Sequence, residues 1–125
     1  MDKKVISTEN APGAIGPYSQ AMRLGDMIFT SGQIPMNPAT GEMVTEIAAA
    51  TKQSLENVKA ILATQGATTD NIIKTTVFLT DLNNFVAMNE VYATFFANNP
   101  PARSAVEVSR LPKDSIIEIE VIASL

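Results

Sequence analysis

"ARSAVEVSRL" at residues 102–111 and "IIEIEVIASL" at residues 116–125 close the chain, joined by the polar turn "PKDS". Both runs alternate, and their reading decides the fold. Taken as a hairpin with Leu111 opposite Ile116, they place Val106 and Val108 on one face with Ile117, Ile119, Val121 and Ala123. That apolar face needs a cover of helices. The other face then carries Arg103, Ala105, Glu107, Ser109, Glu118, Glu120 and Ile122. In this register Arg103 pairs with Ser124 and Glu118 with Ser109, so the two charges stand six residues apart, roughly 20 Å at about 3.3 Å per residue. Within one chain they cannot share a ligand; across a subunit interface they can.

Working outward, the chain supplies the helices such a sheet requires. From Thr45 to Gln65 the period turns helical, with Ile47, Thr51, Ser54, Leu55, Val58, Ile61 and Leu62 along one face. Thr45 is the expected N-cap, Glu46 suits the positive first turn, and Gly66 is the stop. "IIKTTVFLT" (72–80) reads as a strand. Asp81 or Asn83 opens a second helix through Phe96, with Phe85, Met88, Tyr92, Phe95 and Phe96 inward, and "NNPP" ends it. Ahead of these, "PYSQAMRLGDMIFTSGQ" (17–33) reads as two strands around Leu24-Gly25-Asp26. "IPMNPATGEM" (34–43) is a loop, and residues 1–16, rich in Pro and Gly, are an irregular lead-in. These elements describe an α+β domain spanning residues 1–125, a sheet with two helices on one side. Phe78 and Ile122 on the bare face would leave apolar area wet, which points to self-association through that face.

Composition narrows the chemistry. The protein has no histidine and no cysteine, which removes His-based triads, thiol nucleophiles, zinc fingers and disulfides. Neither "LATQGATTDN" nor "NPATGEM" matches a phosphate-cradling loop. A net charge of −4 and a pI near 4.7 disfavour tracking of a phosphate backbone. No apolar run has the length of a membrane span and no apolar stretch follows Lys3 and Lys4, so a cytoplasmic location is expected. Catalysis, if any, falls to carboxylates, Arg, Lys, Tyr, hydroxyls and backbone groups. Arg103 reads either as an interface salt-bridge residue or as a clamp for a carboxylate. Glu118, taken alone, reads as a solvated strand glutamate.

Several blocks go further. "NAPGAIGPYSQA", "TSGQIPMNPATGE", "QSLENVKAIL", "IIKTTVFLTDLNNFVAMNEVY", "NPPARS" and the alternating end with Ile-Glu-Ile resemble, in order, the reactive-intermediate deaminases of the RidA or YjgF family. The resemblance implies a chorismate-mutase-like fold assembled as a homotrimer around a central barrel, with clefts between subunits. It implies hydrolysis of enamines and imines such as 2-aminoacrylate, 2-iminobutanoate and 2-iminopropanoate to 2-keto acids and ammonia, without metal or cofactor. Arg103 matches the family's carboxylate-binding arginine, and Glu118 its glutamate that orients or activates water. Tyr18, Ser31, Gly32 and Asn89 match cleft-lining positions. Ala105 stands where many relatives carry Cys: if that position contributes mainly a backbone carbonyl, Ala serves as well, and thiol-dependent behaviour is not expected. Two rival readings remain open: a carboxylate-metabolite-binding regulatory module without turnover, and a purely structural trimer.

Overall fold

A computed structural model describes residues 2–125. Its strands are β1 (Lys3–Ile6), β2 (Ala21–Leu24), β3 (Met27–Thr30), β4 (Ile72–Leu79), β5 (Ala102–Glu107) and β6 (Ile117–Ser124). The helices are α1 (Ile47–Ala63) and α2 (Phe85–Phe95). The strands form one sheet in the order β1-β2-β3-β6-β4-β5. All pairs are antiparallel except β4–β5, so the sheet is mixed. This is the expected α+β arrangement of two helices against one face.

The β2–β3 hairpin turns at Gly25-Asp26 as expected. Gly25 has φ +59°, the positive value that a two-residue hairpin turn requires. α1 buries Ala50, Thr51, Ser54, Leu55, Asn57, Val58, Ile61 and Leu62, the predicted stripe with Ala50 and Asn57 added and with Ile47 only half-buried at its start. Against it lie Ile28, Val77, Leu79, Ile117, Ile119, Val121 and Ala123 from the sheet and Met88 from α2. Tyr92 and Phe96 close the core beside Met88, while Phe85 and Phe95 are half-buried at its edge.

Several expectations need correction. The lead-in contains β1, an edge strand paired to β2; its four residues, Lys-Lys-Val-Ile, do not alternate and are too short a run to separate from loop. The cap of α1 is Glu46, whose carboxylate oxygens accept from the amides of Ala48 (2.9 Å) and Ala49 (2.8 Å). These bonds hold its carboxyl below the ordinary carboxylate value. Asp81 does cap, but it caps a short 3-10 turn over Leu82–Asn84 that leads into α2.

The largest correction concerns the closing stretch. β5 and β6 are not a hairpin. β5 lies parallel to β4 at the sheet edge, reached by the α2 crossover, and β6 inserts centrally between β3 and β4. The register Thr75↔Arg103 and Val77↔Ala105 puts Arg103 and Ala105 on the helix side. Val106, opposite Phe78, faces away and is 43% exposed. Glu118 also pairs with Phe78 and so shares that far face. Arg103 and Glu118 therefore sit on opposite faces of the sheet. The face assignment failed because β5 has apolar residues at both parities, Ala105 and Val106, and alternation alone cannot choose between them.

Among the described residues no helix covers the far face. One row across it runs Val5, Met22, Phe29, Ile122 and Lys74 from strand to strand, with Val5 66% and Phe29 42% exposed.

Candidate functional site

Two hollows gather the predicted residues. The first, about 530 Å³, lies on the far face and is lined by Tyr18, Ser31, Gly32, Lys113, Glu118 and Glu120. The second, about 470 Å³, lies at the sheet edge beside α2 and is lined by Asn89, Tyr92, Phe96, Pro101 and Arg103. A larger hollow of about 700 Å³ between the lead-in and the 36–41 loop touches Tyr18, but Glu9 is the only other titratable group on its wall. The concentration of chemistry is in the other two.

The first hollow is built by an irregularity in the sheet. Phe29 pairs with Ile122, yet Gln33 pairs with Ile119 through both backbone bonds (2.8 and 3.1 Å). Three residues, Thr30, Ser31 and Gly32, thus face two, Glu120 and Val121. That is a one-residue bulge, a device that re-aims side chains at the rim of a sheet. The Thr30 hydroxyl takes the amide of Val121 at 3.0 Å. Ser31 is tied by its amide to Gln20 O (2.9 Å), and its hydroxyl donates to Ser19 O (2.6 Å). The bulge brings Gly32 under Glu118: a Cβ there would lie 2.5 Å from Glu118 Cδ and 2.7 Å from Cγ and Oε1. Only a residue without a side chain permits that approach.

Downstream of Gly32, Asn57 holds the chain in place. It is buried in α1, donates to Ile34 O (3.1 Å) and Met36 O (3.0 Å), and accepts from Gln53 (2.9 Å). Tyr18 is 50% exposed, and its hydroxyl accepts from the Ile15 amide at 3.1 Å, which closes a tight loop over the hollow. Burial pushes the Glu118 carboxyl up from its ordinary value, with a second push from the Glu120 charge. The result is a carboxyl that keeps its proton more readily than a surface glutamate.

The second hollow is built from α2 and β5. Arg103 donates from Nη1 to Asn89 Oδ1 at 2.7 Å. Its guanidinium carbon lies 4.8 Å from the centre of the Tyr92 ring and 5.4 Å from that of Phe85. The ion pairs among the described residues are Lys59–Glu56 and Arg110–Asp114. Arg103 thus has aromatic faces and an amide as neighbours but no carboxylate. A half-buried cation with no carboxylate beside it can accept an anion from outside.

The structure brings Tyr18, Ser31, Gly32 and Glu118 together, and separately Arg103 with Asn89. Ala105 lines neither hollow; it packs half-buried against the core two residues beyond Arg103. Phe85 and Tyr92, expected as core, also touch the guanidinium. Their spacing with Asn89, at i, i+4 and i+7, is the signal that could have grouped them. Among the described residues no cluster of three His, Cys, Asp or Glu is arranged as metal ligands would be. No helix there is long and apolar enough to cross a membrane.

Comparison with known proteins extends these observations. The family model described as endoribonuclease L-PSP matches residues 8–125. The chain is 58% identical over 123 residues to the 2-iminobutanoate/2-iminopropanoate deaminase of Escherichia coli K12, covering 96% of each. It is 56% identical over 124 residues to a RutC family protein of Pyrococcus abyssi, covering 98% of each. Among solved structures, that of E. coli TdcF with bound serine superposes with a TM-score of 0.94 at 54% identity, over 98% of both chains. The chain belongs to the endoribonuclease L-PSP family, the RidA/YjgF family that its motifs resemble.

Proposed function

We propose that this protein hydrolyses reactive enamine and imine forms of 2-amino acids, 2-aminoacrylate, 2-iminobutanoate and 2-iminopropanoate among them, to 2-keto acids and ammonia in the cytoplasm. The observation that carries this reading is the half-buried, acid-free guanidinium of Arg103 between Tyr92 and Phe85. These substrates share a carboxylate, and a guanidinium grips a carboxylate with two parallel charge-assisted hydrogen bonds. The name of the E. coli relative, and the serine bound to TdcF, agree with a small amino-acid-derived substrate.

The chemistry asked of the protein is small. An enamine first takes a proton at carbon and gives up one from nitrogen, which makes the imine. Water adds to the C=N carbon, giving a carbon that bears both OH and NH2. That carbinolamine collapses to the ketone as nitrogen leaves with a third proton as ammonia. Glu118, with its raised proton affinity, takes a proton from the attacking water and returns it to nitrogen. Tyr18 and the Ser31–Gly32 bulge shape the space beside it.

Since Arg103 and Glu118 occupy opposite faces of the sheet, the working site takes one from each of two chains. The uncovered row of Val5, Met22, Phe29 and Ile122 supplies apolar surface for that assembly, which we read as a homotrimer with clefts between subunits. The acidic charge and the lack of histidine give RNA cleavage little physical basis.

The deciding experiment couples the protein to a threonine dehydratase and follows 2-oxobutanoate release, with Arg103→Lys alongside. Lysine keeps the charge and loses the fork. Loss of one of two bonds of about 2 kcal/mol lowers kcat/KM by about 30-fold. Near-wild-type turnover by Arg103→Lys ends the clamp. No acceleration by the wild type, with 2-oxobutanoate still bound, favours instead a binding module that senses carboxylates without turnover.

A further inference from the structure

Arg103 is held almost wholly by one stripe of one helix. Phe85, Asn89 and Tyr92 lie at i, i+4 and i+7 on α2, and each meets the guanidinium. The stripe is itself anchored at one polar point. The Tyr92 hydroxyl and Thr75 Oγ1 are 2.7 Å apart in the core, and Thr75 is the β4 partner of Arg103 across the sheet. Thr75 is fully buried and Tyr92 nearly so. A valine at 75 would fill the same space and suit the strand equally well; what threonine adds is the hydroxyl. Met88 and Phe96 bury α2 in the apolar core, but apolar contacts tolerate small slides and rotations. A buried hydroxyl pair does not, because misalignment leaves two desolvated polar groups unpaired.

We propose that Tyr92 is a positioning residue: pinned to Thr75, its ring fixes the plane of the Arg103 guanidinium so that the edge not used by Asn89 faces the substrate carboxylate. This rests on the carboxylate-clamp reading above. Arg103 donates to the protein from Nη1 alone among the described residues, so Nε and Nη2 are uncommitted. Asn89 fixes one end of the fork, and the Tyr92 face fixes its tilt.

The test uses Tyr92→Phe, Thr75→Val, their double variant and Tyr92→Leu in the full chain. Tyr92→Phe and Thr75→Val each raise KM, and the dissociation constant for 2-oxobutanoate, about five-fold with kcat little changed, the effect of one lost hydrogen bond. Each single variant also melts lower, because one buried hydroxyl is left without a partner. The double variant removes both hydroxyls, so its melting temperature recovers toward wild type while the KM defect remains at the level of a single variant. A merely structural bond predicts that KM recovers with stability, and that result overturns the proposal.

Ligand-free NMR separates this inference from the deaminase reading. The chain has three arginines, Arg23, Arg103 and Arg110, so the Arg103 Nε–Hε signal is readily assigned. It moves out of its ring-current position in Tyr92→Leu. An unmoved signal refutes the cradle. A moved signal in a protein that neither binds 2-oxobutanoate nor hydrolyses imines upholds the cradle and removes the substrate assignment.

Discussion

Replacing Gly32 by alanine sets one methyl group against the Glu118 side chain. The new Cβ would lie 2.5 Å from Cδ and 2.7 Å from Cγ and Oε1, about 1 Å inside the usual 3.5–4.0 Å separation of carbon atoms. Gly32 is not in the left-handed region, so its backbone accepts alanine; only the space is missing. Nor can the backbone retreat, because Gln33 is bonded twice to Ile119 and Ser31 to Gln20. Glu118 must swing away. An altered rotamer costs about 1 kcal/mol, which lowers the melting temperature by about 4 °C in a chain of this size. Activity falls much further, since loss of a placed acid–base group costs about 100-fold in kcat. Melting curves and the dehydratase-coupled assay on Gly32→Ala check both numbers, and a Gly32→Ala/Glu118→Gln double no slower than Glu118→Gln shows that the two act through one group. Wild-type turnover in Gly32→Ala refutes the reasoning, as does a collapse of stability, which would mean that the backbone moved instead.

Glu118→Gln loses about 100-fold in kcat and changes the pH dependence of stability. The raised carboxyl binds its proton more tightly folded than unfolded. Its ionisation therefore destabilises the fold as pH climbs from the ordinary value of 4.5 through the elevated one. The glutamine variant lacks that slope, so its melting advantage grows across this window and is constant above it; parallel wild-type and variant curves would contradict the assignment. Asn57→Ala strips donors from Ile34 O and Met36 O and the acceptor from Gln53. The expected loss is about 2–3 kcal/mol by denaturant titration, with slower turnover because the segment after Gly32 loosens. A neutral result would show that those carbonyls find other donors.

Local physics made much of the fold readable in the sequence. The helical stripe of α1, the Gly25–Asp26 turn and the β-branched β4 each follow from a pattern within a few residues. The placement of β5 does not. Its partner is set by a crossover through α2, and the linker "PKDS" imitates a hairpin turn. Instead Lys113 and Asp114 both take positive φ, within a connection that carries the chain from the edge to the centre of the sheet. The site split along the same line. Tyr18, Ser31, Gly32 and Glu118 line one hollow, and Asn89 lines another with Arg103. The outward placement of Arg103 was wrong, because its face depends on a partner strand that alternation cannot identify. Tyr92 was placed correctly in the core, but one aromatic can fill a core and hold a cation at once. Asn57 went unnoticed because an amide on an apolar face gives no sign that loop carbonyls await it.

With cation and acid mounted back to back on a single sheet, no side-chain swing or loop movement within one chain delivers both to the same molecule. On the proposed reading, dilution silences the protein well before it unfolds it. Injury also ceases to be private to a chain. A copy deprived of its guanidinium and a copy deprived of its carboxylate, each inert among its own kind, can lend their intact halves to a common seam and work again.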